Sequence, residues 1–365
     1  MILSIILSAF SPKKWHETLD KKCTIWYYKT KKDSIRRKRK VLISEKGDRE
    51  RISVMVPCYN EEEALPLFFA ELEKVMTAMS EYDFEVILVD DGSKDGTLEL
   101  LREAARNDRR FRYVSFSRNF GKEAGMYAAL KESTGDYVVY MDADLQDPPT
   151  LLPEMMCILK EKGCDSVGTR RSSRKGEPPI RSFFANVFYK FINRISDVHL
   201  VPAARDYRLM TRRMADAILS LSEYNRFSKG IFEWVGFRTE WISYENIERS
   251  AGKTKFSFWK LFKYSVECIV AFSTAPLAFA SFMGLFLCLL AFIGIIIVIV
   301  RNLLGASAAF GWASTMCVIL FVGGALEFSI GILGVYLSKT YLECKKRPLY
   351  LASETEKDLP ERKEE

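Results

Sequence analysis

Asp142 and Asp144 stand two residues apart, just past the run Tyr137 to Met141. On an extended chain, positions two apart leave the same face, so the two carboxylates converge. Oxygen donors placed this way can hold a hard divalent cation such as Mg²⁺ or Mn²⁺, with Gln146 as a further oxygen ligand. A D-x-D pair alone is common in turns. Here it closes an apolar run rich in β-formers, and in α/β folds ligands bind at that end of a strand.

Similar side chains recur at equivalent places. Ile52 to Pro57 ends in Cys58-Tyr59-Asn60, and Phe84 to Val89 ends in Asp90-Asp91-Gly92-Ser93. Ser166 to Gly168 runs out at Arg170. Between the first two runs, Leu65, Phe68, Leu72, Val75 and Met79 recur at helical spacing. A helix starting at Asp95, a strand Phe111 to Phe116 and a helix Lys122 to Leu130 continue the alternation. Such a βαβα pattern predicts a doubly wound α/β domain on a mostly parallel, Rossmann-like sheet. Right-handed crossovers would then set Asn60, Asp90, Asp91, Asp142, Asp144 and Arg170 along one rim.

A rim of that composition suits a nucleotide diphosphate-sugar. Asp90 and Asp91 can accept hydrogen bonds from base and ribose, and Asp144 with Gln146 can hold a metal against the phosphates. Metal and arginine together would stabilise charge on the departing diphosphate. There is no Walker A loop, and no G-x-G-x-x-G follows the first strand, so P-loop and dinucleotide-binding readings lose support.

The chain has 365 residues, a net charge of +7 and 48% hydrophobic residues, unevenly spread. Ala275 to Val300 contains no charged residue, and Trp312 to Leu337 only Glu327. Each run exceeds the ~20 apolar residues that a helix needs to cross a bilayer. Lys253, Lys255, Lys260 and Lys263 precede the pair and Lys339, Lys345, Lys346 and Arg347 follow it, whereas the linker holds only Arg301. By the positive-inside rule both flanks face the cytoplasm. Phe256 to Ser273 mixes aromatic and basic residues, as an amphipathic helix on the inner leaflet would. Eight scattered cysteines without C-x-x-C read as reduced thiols, and two histidines leave little room for histidine-based chemistry. Met1 to Phe10 is too short to span and a poor signal peptide. Lys29 to Lys40 is densely basic, suited to a solvated arm or to anionic headgroups. The expected parse is a basic extension (1–50), a soluble α/β domain (51–250), a juxtamembrane amphipathic helix (251–274), a transmembrane hairpin (275–337) and a cytoplasmic tail (338–365).

Several spaced motifs carry a family resemblance. They are V-P-C-Y-N-E-E-E (Val56 to Glu63), V-D-D-G-S-x-D-G-T (Val89 to Thr97), F-S-R-N-F-G-K-E-A (Phe116 to Ala124) and D-A-D-L-Q-D-P-P (Asp142 to Pro149). Downstream come R-x-x-R-K-G-E (Arg171 to Glu177), D-Y-R-L-M (Asp206 to Met210), R-F-S-K-G-I-F-E-W-V-G-F (Arg226 to Phe237) and R-x-A-G-K-T-K-F (Arg249 to Phe256). K-K-R-P-L-Y (Lys345 to Tyr350) follows the second span. In this order they resemble the family-2 inverting glycosyltransferases of the GT-A fold. More closely, they resemble polyprenyl-phosphate glycosyltransferases such as the bactoprenol glucosyltransferases and dolichol-phosphate mannose synthases.

That resemblance implies transfer of one sugar, from UDP-glucose or UDP-N-acetylglucosamine, to undecaprenyl phosphate at the cytoplasmic face of the inner (plasma) membrane, for cell-envelope glycan modification. It implies donor contacts from Pro57, Tyr59, Asn60, Glu62, Asp90, Asp91, Lys122, Asp142, Ala143 and Arg170. It also implies a metal–diphosphate centre at Asp142, Asp144 and Gln146, with Asp144 and Asp206 catalytic and Asp206 beside the acceptor phosphate. Acceptor or phosphate contacts would come from Arg171, Arg174, Arg181, Arg208, Arg249 and Lys255. Phe183, Phe184, Val187, Phe188 and Phe191 could face lipid. A phosphomonoester is largely dianionic at neutral pH, its second pKa being about 6. Asp206 is therefore expected to position the acceptor more than to act as an obligatory base.

Glu327, Gly331 and Gly334 share a helical face, which fits close helix packing and a homo-oligomer. A processive polysaccharide synthase would carry Q-x-x-R-W and more spans. A non-catalytic membrane-tethered nucleotide-sugar sensor or scaffold would not need a metal centre. Nothing in the chain points to nucleic acid.

Overall fold

Strands β1 (Arg51–Cys58) and β2 (Asp83–Asp90) are buried on both faces, as the middle of a parallel sheet requires. The computed structural model describes residues 49–171, 187, 189–196, 198–244, 266–303 and 312–358. The N-terminal extension, most of the amphipathic juxtamembrane segment, Arg174, Arg181, Arg249 and Lys255 therefore lie outside the described residues.

The chain alternates strand and helix: α1 (Leu65–Ala78) follows β1, and α2 (Thr97–Asn107) follows β2. Then come β3 (Phe111–Phe116), α3 (Lys122–Glu132), β4 (Tyr137–Tyr140), a 3₁₀ turn at Pro149–Leu151 and α4 (Leu152–Lys162). β5 (Ser166–Arg171), β6 (Ala204–Thr211), α5 (Arg212–Leu219), α6 (Ser228–Trp234) and β7 (Thr239–Tyr244) complete the soluble part. The eight-stranded sheet has the order β7-β5-β6-β4-β1-β2-β3-β8, where β8 is Ala352–Thr355. β4, β1, β2 and β3 are parallel, with Val54 opposite Val86 and Val139.

Side chains alternate along these strands into two helical layers. Val54, Val56, Val86, Leu88 and Val139 pack with Leu65, Phe68, Leu101 and Met155 on one face. Met55, Ile87, Val89 and Val138 pack with Met126, Leu130, Ile218 and Phe232 on the other. The mostly parallel α/β sandwich is the expected one.

The order departs from a simple continuation past β4. β6 lies antiparallel between β4 and β5, pairing Arg208 with both Tyr140 and Gly168. β5 consequently points the same way as β4, and Arg170 keeps its place at the shared rim. Because β6 is reversed, its first residues, including Asp206, begin at that rim. Gly168 is required where it stands, because a Cβ there would sit 2.8 Å from the Trp241 ring.

Two helices, α7 (Ala275–Leu303) and α8 (Trp312–Cys344), follow β7 and pack on one another. Ala275–Ile297 and Thr315–Cys344 are each long and apolar enough to cross a membrane. α8 continues seven residues beyond the expected end of the second span. Both ends of the pair are tied to the α/β domain. On entry, helical residues 266–272 bring the Phe272 ring onto Gly230 of α6, and Ser196 Oγ donates to the Phe272 carbonyl (3.1 Å). On exit, Glu343 accepts the Tyr224 amide at 2.8 Å, and Lys339 Nζ donates to Asn225 Oδ1 at 2.8 Å. The tail then supplies β8, an edge strand antiparallel to β3. A hairpin that leaves and rejoins one domain has both its ends on one side. The seven cysteines among the described residues are all free.

Candidate active site

The first strand-end loop is built to hold the second. Asn60 adopts a left-handed conformation (φ 55°), and its Oδ1 accepts the Lys94 amide at 2.9 Å. Its own amide donates to Ser93 Oγ at 3.0 Å. Glu62 accepts the Gly96 amide at 2.9 Å. Pro57 packs beneath against Gly125, while Tyr59 projects, 40% exposed. Thus Asn60 braces the D-D-G-S turn and Glu62 the start of the helix that follows it, while Tyr59 offers an exposed aromatic at this part of the rim.

Asp90 and Asp91 lie under the surface, 1% and 3% exposed. Asp90 accepts the Ser93 amide at 3.0 Å and Ser115 Oγ at 2.8 Å. Asp91 accepts the amides of Phe120 (2.6 Å) and Gly121 (2.9 Å). Burial pushes the Asp91 carboxyl above its ordinary range, partly offset by those two amides. In this structure both carboxylates hold protein groups: Asp90 the second loop, Asp91 the R-N-F-G-K loop. Gly92 makes the contact between those loops feasible. Its φ is +66°, and a Cβ would lie 2.5 Å from the Arg118 carbonyl carbon.

Lys122 opens α3 at the centre of the rim. Its Nζ is 2.8 Å from Asp142 and 2.7 Å from Asp206, so one ammonium bridges β4's end to β6's start. Lys229 of α6 approaches Asp206 from the other side at 4.0 Å and donates to the Ala204 carbonyl at 3.1 Å. Desolvation weighs only lightly on Lys122, whose side chain is 44% exposed, and Asp142 and Asp206 hold its pKa well above the ordinary lysine value. Burial opposes ionisation of Asp206, but Lys122 and Lys229 hold it well below the usual carboxylate range.

The D-A-D-L-Q-D turn is anchored from below. Leu145 is left-handed at φ 57°, a strained conformation for a leucine and one that clusters at functional loops. Asp147 is fully buried and takes Arg205 in a two-point pair (Nε 2.8 Å, a terminal guanidinium nitrogen 3.0 Å) together with the Tyr244 hydroxyl. Asp144 accepts the Gln146 amide at 3.1 Å, and Ala143 is buried. Gln146 Oε1 accepts from Arg171 at 3.2 Å. As a metal ligand that oxygen would have to exchange arginine for the cation.

Among the described residues no three carboxylate, imidazole or thiol groups cluster tightly enough to hold a metal by themselves. The oxygen donors of Asp142, Asp144 and Gln146 fit Mg²⁺ or Mn²⁺ chemistry only when further oxygens complete the shell, as a diphosphate and waters would.

The expected residues divide accordingly. Lys122, Asp142, Asp144, Gln146, Arg171 and Asp206 come together. Arg170 stands at the edge of the group, donating from Nε to Ser243 Oγ at 2.9 Å. Arg208 does not join it, which corrects the expectation of a phosphate contact. It is 2% exposed, paired with Glu233 at 3.1 Å, with Phe232 and Trp241 rings 4.7 and 5.0 Å from its guanidinium carbon. It is a buried strut between β6 and α6. Sequence reading misses Arg205, Asp147 and Lys229, although Asp147 and Lys229 sit inside quoted motifs and Arg205 immediately precedes another. Their pairing runs across 58 residues in one case and 23 in the other, which no local pattern reveals.

A cleft of about 760 Å³ runs from this rim toward the C-terminal part of α8, lined by Phe120, Glu123, Arg226, Phe227, Tyr336 and Lys339. Of the side chains expected to face lipid, Val187 and Phe191 are exposed, whereas Phe183, Phe184 and Phe188 lie outside the described residues.

The profile of Glycosyl transferase family 2 matches residues 53–219, the part that contains every strand of the rim except β7 and β8. The chain is 41% identical over 316 residues to CsbB of Bacillus subtilis (strain 168), named as a glycosyltransferase, covering 86% of this chain and 95% of that one. It is 38% identical over 310 residues to the prophage bactoprenol glucosyl transferase homolog of Escherichia coli (strain K12), covering 84% and 100%. Among solved structures, S. aureus TarS 1–349 superposes with a TM-score of 0.38 at 20% identity, over 54% of this chain and 59% of that one.

Proposed function

The chain belongs to glycosyl transferase family 2, and on that premise we propose that it moves one hexose from a nucleotide diphosphate-sugar to a polyprenyl phosphate. The observation that carries the proposal is Lys122, whose ammonium bridges Asp142 and Asp206 at a strand-end rim tied at both ends to an apolar hairpin. Relatives named as bactoprenol glucosyl transferases, matched along nearly their whole length, support the acceptor class. They also favour UDP-glucose over other donors.

In the proposed reaction an acceptor phosphate oxygen attacks the anomeric carbon, and the bond from that carbon to the diphosphate breaks with inversion. The acceptor is already dianionic, so no proton need be removed. What the protein must supply is position and charge. Asp206 supplies position: it holds Lys122 and Lys229 on either side of itself, where two cations can receive an anionic acceptor. Tyr59 and the loops braced by Asn60, Asp90 and Asp91 form the donor side. A Mg²⁺ or Mn²⁺ ion held by Asp142, Asp144 and Gln146 would neutralise the departing diphosphate. The cleft beside Phe120 and Tyr336 is the proposed approach from the bilayer.

The proposal places both helices across the inner membrane with the α/β domain in the cytoplasm, supported by the shared side of the hairpin ends and by the lysine-rich flanks. It includes a homo-oligomer packed through Gly331 and Gly334, where, among the described residues, nothing outside their own helix lies within 4 Å of an added Cβ. The test is a donor panel of UDP- and GDP-sugars with the membrane-embedded chain and undecaprenyl phosphate. A labelled, lipid-extractable sugar phosphate is expected from one of the UDP-sugars. No lipid product from any donor would overturn the reading.

A further inference from the structure

K-K-R-P-L-Y, the motif after the second span, has no part in the chemistry above, yet it ends against the back of the donor side. Tyr350 stacks on Phe116 with ring centroids 4.8 Å apart and planes 20° from parallel. Phe116 meets Phe120 edge to face at 5.8 Å. Phe120 donates its amide to Asp91, and two residues on Lys122 reaches Asp142 and Asp206. A second route runs through the strand pairing. Glu354 lies opposite Ser115, whose carbonyl accepts Ser353 Oγ at 3.1 Å and whose own hydroxyl donates to Asp90 at 2.8 Å. The Leu351 carbonyl accepts the Ser117 amide at 2.9 Å, at the first residue of the loop.

We propose that Tyr350 and β8 are positioning elements of the active site: the chain returning from the membrane sets the 117–122 loop, and with it Asp91 and Lys122, for donor binding. The proposal rests on the glycosyltransferase reading for what the loop binds, but not for what holds it. Two residues that brace the loops, Ser115 and Phe116, are the residues that the tail grips, and Asp90 and Asp91 each depend on one of these routes. An edge strand that merely covered β3 would need the ladder alone. It would not need an aromatic ring stacked on a side chain that itself meets Phe120. The arrangement also makes the donor loop sensitive to the seating of α8, because only five residues separate Cys344 from Tyr350.

The test uses the full chain in lipid nanodiscs, as wild type and as Tyr350→Ala, Tyr350→Leu and Tyr350→Phe. Amide hydrogen exchange is followed across residues 117–122, and UDP and GDP are titrated separately with Mn²⁺. Loss of the stacked ring should speed exchange at Phe120 and Gly121 about three- to tenfold, the scale of one aromatic pair. Affinity for the bound nucleotide should weaken by a similar factor, and the donor KM should rise more than kcat falls. Tyr350→Phe should behave as wild type, since the ring is kept. Tyr350→Leu keeps apolar cover without the stack and should resemble Tyr350→Ala, which separates positioning from general folding. Exchange and nucleotide affinity within twofold of wild type in Tyr350→Leu, with only a lower melting temperature, would overturn the proposal. Wild type that bound neither nucleotide would instead sink the reading of the rim, and the exchange comparison would still decide what holds the loop.

Discussion

Lys122 Nζ lies 2.7 Å from Asp206 Oδ2, although 84 residues separate them in the chain. The same nitrogen touches Asp142, so one ammonium joins the strand carrying the expected metal ligands to the strand carrying the expected acceptor-side carboxylate. Burial and the cation between them act differently on the two: Lys122 and Lys229 hold Asp206 well below the usual carboxylate range, whereas burial pushes Asp142 up despite Lys122.

Replacing Lys122 by Met should leave two neighbouring carboxylates without their shared cation and lower kcat/KM by about a hundredfold, the usual cost of losing one group that stabilises developing charge. Lys122→Arg should recover part of the loss. Steady-state rates with the identified donor check this, and wild-type rates in Lys122→Met would remove the residue from the site.

Asp206→Asn should lose kcat while nearly keeping nucleotide affinity, because Asp206 faces the two lysines and not the loops braced by Asp90 and Asp91. Calorimetric titration with the nucleoside diphosphate is the measurement. A folded variant that no longer binds nucleotide would move Asp206 to the donor side.

Divalent metal should be required and should bind together with the donor. Asp142, Asp144 and Gln146 are too few oxygens to hold Mg²⁺ tightly alone. Titrating Mn²⁺ into the protein should give a strong signal only when nucleoside diphosphate is present, and Asp144→Asn should abolish it. Undiminished turnover in excess EDTA would exclude the metal.

Gly92→Ala should push the Arg118–Asn119 backbone away, since the new Cβ would sit 2.5 Å from one and 2.7 Å from the other. Nucleotide affinity should fall at least tenfold, and stability by about 1–3 kcal/mol for the strained backbone and displaced loop. Gly163 supplies the control. It shares the left-handed conformation (φ +56°) but faces open space, so Gly163→Ala should cost about 1 kcal/mol and leave nucleotide binding intact.

Docking of β8 should weaken in acid. Glu354 accepts a two-point pair from Arg102 (2.9 and 2.6 Å) and the Tyr113 hydroxyl, and the Arg102 contact holds its pKa below the ordinary 4.5. A depressed carboxyl pKa contributes stability above pH 4.5, and that contribution fades as pH falls through the folded value. Exchange protection across residues 352–355 should therefore drop below pH 4.5 in wild type. Glu354→Gln should be less protected at neutral pH and lose that dependence, whereas an unchanged acid profile would assign it to another group.

Local pattern was enough for much of this protein. Unbroken apolar runs along Val54 to Val56 and Val86 to Val89, helical spacing from Leu65 to Met79, and two long apolar runs are statements about neighbours in the chain, and each folds as its own spacing demands. The ends of those strands hold Asn60, Asp90 and Asp142 for the same reason. Tertiary structure decided what distant residues do to one another. Arg208 reads as one more rim cation, yet strand reversal in β6 turns it inward onto Glu233 between two rings. Asp91 reads as a ligand contact, yet its oxygens are occupied by the Phe120 and Gly121 amides. Ala-Ser-Glu-Thr has too little apolar alternation to announce a strand, and pairs because β3 presents an open edge with Arg102 and Tyr113 waiting beside it. Asp147 with Arg205, and Lys122 with Asp206, depend on crossovers that bring separate strand ends to one rim. Periodicity is a property of adjacent residues, whereas an ion pair closes a long loop whose geometry only the assembled sheet defines.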